Sequence, residues 1–251
     1  MSLRSHTGRF QASRVPKETS MVDWSDIKVL SFDCYGTLID WETGILSALL
    51  PVLRSHGIAA TDDDVLELYA ELEQKAEEGT FMNYKSVLRL VMDGFAERFR
   101  FTPAGGERDC LIQSLKHWLP FPDTVSSLSA LKSRFRLAII SNVDDDLFSF
   151  THQRLGVRFD RVITAEQVGS YKPSFNNFNT AIRRFGVPMN QVVHVAQSKY
   201  HDIEPANRLG LSSVWVNRRR EKAGAGATTP AQAVPDVVIP DLRSLVELVG
   251  M

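Results

Sequence analysis

Six short apolar runs, none alternating with polar residues, constrain this chain more than anything else in it. They are Ile27–Asp33, Leu137–Ser141, Arg161–Thr164, Val192–Ala196, Ser213–Val216 and Val237–Ile239. A strand with one wet face alternates polar and apolar residues, so these Val- and Ile-rich runs predict strands covered on both faces. Stretches with helical period separate most of them: Asp123–Ser133, Asp145–Leu155, Phe175–Phe185 and Asp202–Leu209. Strand and helix in alternation predict an α/β fold, a Rossmann-like doubly wound parallel sheet.

One interval breaks the rhythm. From Asp33 to Leu137 the chain is many times longer than a crossover needs, and most of it reads as helix. Thr61 can cap a helix over Asp62–Glu78, with Val65, Leu68, Tyr69, Leu72 and Ala76 on one face and Gly79 beyond its end. Tyr84, Val87, Leu88, Val91, Met92, Phe95 and Phe99 form a second stripe, and Leu111, Leu115 and Trp118 a third within Glu107–Leu119. A further helix over Gly44–His56 contains Pro51, which costs about 3 kcal/mol inside a helix and predicts a kink or break. With 251 residues, 43% of them hydrophobic, the chain has apolar material for both units. The expected division is a disordered tail at 1–22, a core from 23–42 and 120–251, and a helical cap at 43–119.

A net charge of -1 gives no reason to expect nucleic acid, and no apolar run is long enough to span a bilayer. Two cysteines, Cys34 and Cys110, are too few for a disulfide framework. The first residues lack an apolar h-region, so the expected compartment is the cytoplasm. Arg218-Arg219-Arg220 reads as the start of a solvated loop. The apolar helical stripes could also serve a homodimer.

Chemistry-bearing residues recur where the runs end. Asp33 closes the first, Ser141-Asn142 the second; Lys172 in Gly169-Ser170-Tyr171-Lys172-Pro173 follows the third, and Asp202 the fourth. A parallel sheet brings all of these to its carboxyl edge, where open α/β sheets bind ligands. Each has a plain structural explanation, as a turn, surface charge or N-cap. Together they set two carboxylates, an ammonium and hydrogen-bonding side chains over one crevice.

The run Asp33-Cys34-Tyr35-Gly36-Thr37-Leu38, with Ser141-Asn142, Tyr171-Lys172-Pro173 and Asp202, resembles the haloacid dehalogenase superfamily over roughly 27–217. The resemblance implies a cap inserted after the first motif and a hydrolase with Asp33 as nucleophile. Phosphatases of that superfamily carry a second Asp where this chain has Tyr35, and a Gly-Asp pair before the last Asp, where the segment Ala196-Gln197-Ser198-Lys199-Tyr200-His201-Asp202 has no earlier acidic residue. Both departures point to the L-2-haloacid dehalogenase-like branch, which implies no cofactor; Mg²⁺ enters only under the phosphatase alternative. The implied substrates are small 2-substituted carboxylic acids. Asp33, Lys172, Asp202 and Ser141 are the expected catalytic residues, and Tyr35, Thr37, Asn142 and Trp41 the expected substrate contacts. The branch's halide-holding cap Arg has no counterpart in 62–84, which is acidic instead. Asp40-Trp41-Glu42-Thr43-Gly44 and Tyr200-His201-Asp202 are also similar to a relative that opens azetidine-2-carboxylate, where an acidic cap would suit a cationic nitrogen.

Overall fold

The computed structural model describes residues 22–222 and 224–251, so the expected tail, apart from Val22, lies outside the described residues. Six parallel strands form one sheet in the order β3-β2-β1-β4-β5-β6. They are β1 (Val29–Phe32), β2 (Arg136–Ser141), β3 (Arg161–Thr164), β4 (Val192–Ala196), β5 (Ser212–Val216) and β6 (Val237–Ile239). The order reverses beside β1, whose neighbours are β2 and β4. That switch opens a crevice at the carboxyl ends of β1, β2 and β4. All four residues of β1 and all five of β4 are buried, including the polar Ser31 and His194, which hydrogen-bond each other.

Between β1 and β2 run α1 (Trp41–Ser55), α2 (Asp62–Glu77), α3 (Tyr84–Phe99) and α4 (Cys110–Leu115). Thr61 caps α2 in a reciprocal box with Asp64, and Asn83 caps α3. The inserted helices pack through the stripes read from sequence: Val65 and Tyr69 on α2, and Val87, Leu88, Val91, Met92 and Phe95 on α3, are buried. Both connections to the sheet are pinned together. Ile39 bridges Pro120, Asp40 N donates to Leu119 O, and Phe121 N donates to Leu38 O.

The break allowed for at Pro51 does not occur, and the helix expected over Glu107–Leu119 is shorter. Helix α1 is continuous through Pro51. Pro51 and Ser47, whose carbonyl would otherwise accept from residue 51, both face solvent, so water can satisfy that carbonyl while Ile45, Leu49 and Leu53 hold the inner face. The helix expected over Glu107–Leu119 begins as a 3₁₀ turn and ends at Leu115. Beyond it Trp118 turns inward, its ring lying where a Cβ on Gly44 would sit.

The remaining helices are α5 (Thr124–Lys132), α6 (Asp145–Leu155), α7 (Ala165–Val168), α8 (Phe175–Phe185), α9 (Glu204–Leu209) and α10 (Leu242–Leu248). The Arg218–Arg220 cluster is not a solvated loop start. Arg218 is buried against Asp123, with which it pairs at 2.8 Å, and also donates to Thr37 O; Arg219 donates to Glu42 at 2.6 Å. Only Arg220 faces water. A guanidinium fork can bridge a carboxylate and a carbonyl at once, which turns these charges into structural ties. Among the described residues no helix is long and apolar enough to cross a membrane.

Candidate active site

The β1 backbone ends at Phe32, and Asp33 then enters the crevice. Gly36 makes the turn that follows at φ +87°, a conformation that costs an L side chain about 1–3 kcal/mol. A Cβ there would sit 2.8 Å from Trp41 Nε1. Gly36→Ala is therefore expected to lose about 1–3 kcal/mol of stability and to displace Trp41, which lines the cavity. Denaturant midpoints check the first effect and substrate KM the second.

Lys172 organises the site. Its loop lies between α7 and α8, and its ammonium is buried. Nζ donates to Asp33 Oδ1 at 2.8 Å, Asp202 Oδ1 at 2.7 Å and Ile140 O at 3.0 Å. Three protons meet three acceptors, so the ammonium is fully committed. The two carboxylates more than offset the burial that would lower the Lys172 pKa, and hold it above the ordinary lysine value. Thr37 Oγ1 donates to Asp33 Oδ2 at 2.7 Å and accepts from Gln197 N, which fixes the second oxygen of Asp33.

The two carboxylates differ in surroundings. Asp202 sits in a wide π turn, Lys199–Ile203, capped by Ser198 rather than acting as a cap itself. Burial would raise its pKa, but Lys172 and the His194 ring, 2.8 Å away, outweigh it and bring the carboxyl to about 2. Burial raises Asp33; Lys172 opposes this and the charge of Asp202 adds to it. Asp202 Oδ2 and Ser141 Oγ are buried without a hydrogen-bond partner among the described residues.

A cavity of about 30 Å³ lies between these groups and the inserted helices. That is room for about two waters. A second space of about 270 Å³ adjoins it and shares Glu77, Lys172 and His201 with it. The structure brings Asp33, Tyr35, Trp41, Ser141, Asn142, Lys172 and Asp202 to the smaller cavity, with Thr37 bonded behind Asp33. Two of them also have partners that tie the site to its surroundings. The Tyr35 hydroxyl is 2.9 Å from Thr151 Oγ1. Asn142 accepts from Lys172 N and donates to Lys172 O, so its amide holds the lysine loop and also reaches Glu77.

Other residues of the site escaped the sequence reading. His194 is fully buried, with Nδ1 2.9 Å from Ser31 Oγ and its ring edge on Phe178. A histidine inside the apolar run Val-Val-His-Val-Ala was the available signal. From α2, Glu73 and Glu77 line the cavity, with Tyr84 beside them on α3. Both Tyr69 and Tyr84 donate to Glu73 Oε1, at 2.9 and 2.5 Å. Burial pushes the Glu73 carboxyl up to about 7 and Glu77 well above the usual carboxylate range, while it lowers His201 to about 4. Arg54 on α1 and Arg89 on α3 do not line the cavity; Arg89 pairs with Asp109 at 2.7 Å. Lys199 lies over the Trp215 ring, 4.0 Å from its centre, and lines a separate surface pocket.

Residues 27–210 match the family model of the haloacid dehalogenase-like hydrolases. The chain belongs to this family. Among relatives of the hydrolase, a glyceraldehyde 3-phosphate phosphatase of Methanothermobacter thermautotrophicus is 30% identical over 213 residues, covering 78% of this chain and 88% of that one. The (S)-2-haloacid dehalogenase 4A of Burkholderia cepacia is 27% identical over 205 residues, covering 79% and 86%. The fold also matches that of the L-2-haloacid dehalogenase from Xanthobacter autotrophicus, with a TM-score of 0.75 at 21% identity over 90% of this chain and 99% of that one. The hydrolase thus has relatives of both chemistries at similar distance, and its own side chains must discriminate between them.

Proposed function

We propose that this hydrolase releases the 2-substituent of small carboxylic acids through an ester on Asp33, without a metal. The carrying observation is the Asp33 carboxylate, which lines a small cavity and accepts from Lys172 Nζ at 2.8 Å, a cation that opposes the rise burial imposes on it. A carboxylate is a modest nucleophile, and burial beside a fixed cation keeps it charged but poorly hydrated. An Asp33 oxygen attacks C2 of the substrate, and the bonding electrons leave with the substituent. Water then attacks the Asp33 carbonyl carbon, giving up its proton to Asp202, whose free Oδ2 suits that task; the bond from that carbon to the substrate oxygen breaks, the oxygen takes the proton back and leaves as the hydroxyl of a 2-hydroxy acid, and Asp33 returns to a carboxylate. Relatives named (S)-2-haloacid dehalogenases support this chemistry.

A phosphatase reading has one observation in its favour, the 30% identity to a glyceraldehyde 3-phosphate phosphatase. The donor set fits Mg²⁺ poorly. The ion prefers carboxylate, phosphate and water oxygens in an octahedron, whereas Asp33 and Asp202 already share one ammonium, and the segment from Ala196 to His201 adds no carboxylate. Tyr35 also supplies no carboxyl group to protonate an ester oxygen.

Single turnover in ¹⁸O-water separates the two. The proposal expects heavy oxygen in Asp33, read by peptide mass, and unlabelled product from the first cycle. Label found only in the product rejects the ester, and activity that vanishes with chelator favours the phosphatase.

A further inference from the structure

We infer that His194 is a positioning residue for the second half of the reaction: its ring, backed by Ser31, pins one oxygen of Asp202 so that the other is left to take the proton of the attacking water. This rests on the reading of Asp33 given above. Asp202 Oδ1 lies 2.8 Å from His194 Nε2 and accepts from Lys172 Nζ at 2.7 Å. An ionised carboxylate has no proton to give, so Nε2 carries one and donates it. The two donors fill the lone pairs of Oδ1. Oδ2 is buried without a hydrogen-bond partner among the described residues, on a side chain that lines the cavity. The donors come from different elements, His194 from β4 and Lys172 from the loop before α8. With Lys172 alone, the carboxylate could swing about its Cβ–Cγ bond and share the ammonium between both oxygens. The second donor fixes its plane.

The ring is itself held. Ser31 is the register partner of His194 in the parallel pairing of β1 with β4, so both side chains leave the same face of the sheet, and Nδ1 is 2.9 Å from Ser31 Oγ. Phe178 meets the ring edge to face, 5.4 Å between centres. A buried imidazole in an apolar strand is costly unless its nitrogens are bonded; here both are, and one of the two bonds ends on the site. His194 is not among the residues that line the cavity, so it acts through Asp202 and not on the substrate. Its two effects on Asp202 oppose each other. Against the burial that would raise it, Lys172 and then His194 hold the Asp202 carboxyl down at about 2, so the ring weakens the base whose place it fixes. Losing the ring should speed the water step if basicity governs it, and slow it if position does.

Rapid-quench single turnover of (S)-2-bromopropanoate with enzyme in excess, followed by the mass of the Asp33 peptide, reads ester formation and ester hydrolysis separately. His194→Phe is expected to form the ester within about threefold of the wild-type rate but to hydrolyse it about a hundredfold slower, as a misplacement of about 1 Å can cause. The adduct should therefore accumulate. His194→Gln, whose amide can still donate to Asp202 Oδ1, should hydrolyse the ester faster than His194→Phe does. Ester hydrolysis in His194→Phe at or above the wild-type rate, slowing of both steps alike, or a His194→Gln as slow as His194→Phe overturns the inference. If a substitution at 194 does not fold, Ser31→Ala carries the test. It keeps the Nε2 donor but loosens the ring, and should slow ester hydrolysis about fivefold, the worth of one hydrogen bond; an unchanged rate then overturns the inference. An adduct that decays alike in every protein rejects only the role of His194. The absence of any Asp33 adduct, with or without product, rejects the ester reading and this inference with it.

Discussion

Lys172→Met is expected to remove turnover and to cost the protein about 3–5 kcal/mol, the usual effect of leaving a buried ion pair half empty. In this protein the loss is sharpened, because one ammonium serves two carboxylates, 2.8 and 2.7 Å away, and all three groups are buried. Without it Asp33 and Asp202 face each other and must share a proton, which also disarms Asp33 as a nucleophile. For a chain of this size the midpoint of thermal unfolding should fall by on the order of 10 °C, and kcat by at least about a thousandfold. The pH dependence gives a signature. In the wild type, the depressed Asp202 carboxyl stabilises the fold above the unfolded carboxylate value, and that stability drains away as pH falls toward about 2. In Lys172→Met the carboxyls are raised instead, so the variant is weakest at neutral pH and recovers as acid protonates them. The two stability curves should therefore converge as pH drops. Parallel curves from pH 7 to pH 4 would mean that Lys172 contributes packing and not charge.

How much of this was legible beforehand depends on whether a feature is local. Helices α6 and α8 and strands β3, β4 and β6 occur over the residues that periodicity picked out, because an amphipathic stripe or a fully apolar run carries its own signal. Pro51 misled because helix propensity is local while the outcome is set by which face of α1 meets water. The motif residues reached one crevice because the parallel sheet leaves them no other place. Their partners were not legible. That Asn142 grips the Lys172 backbone, that Tyr35 turns to Thr151, and that His194 backs Asp202 are facts of long-range packing. Nothing within a few residues of those positions encodes them. Glu73 and Glu77 were visible as charge but not as cavity wall. A helix with so many acids has several faces, and only the docking of α2 against the strand tips decides which one looks inward.

Asp33→Asn should separate catalysis from stability in a way that Lys172→Met cannot. An amide cannot form the ester at a useful rate, so kcat is expected to fall about 10⁴-fold or more, as when other enzymes lose a nucleophile. The fold should scarcely notice. Burial raises the Asp33 carboxyl above its unfolded value, so at neutral pH its ionised form works against folding. Asparagine relieves that burden, and Lys172 keeps Asp202 and Ile140 O as acceptors. Against this, the bond from Thr37 to Oδ2 must rearrange, at about 1 kcal/mol. The opposing effects predict a melting temperature within about 4 °C of wild type, beside an activity near background. A protein that keeps a raised, buried carboxylate at the strand tip accepts strain there for chemistry's sake. If Asp33→Asn instead unfolds the chain while residual protein turns over normally, Asp33 is a structural partner of Lys172, and the attacking group must be sought elsewhere in the cavity.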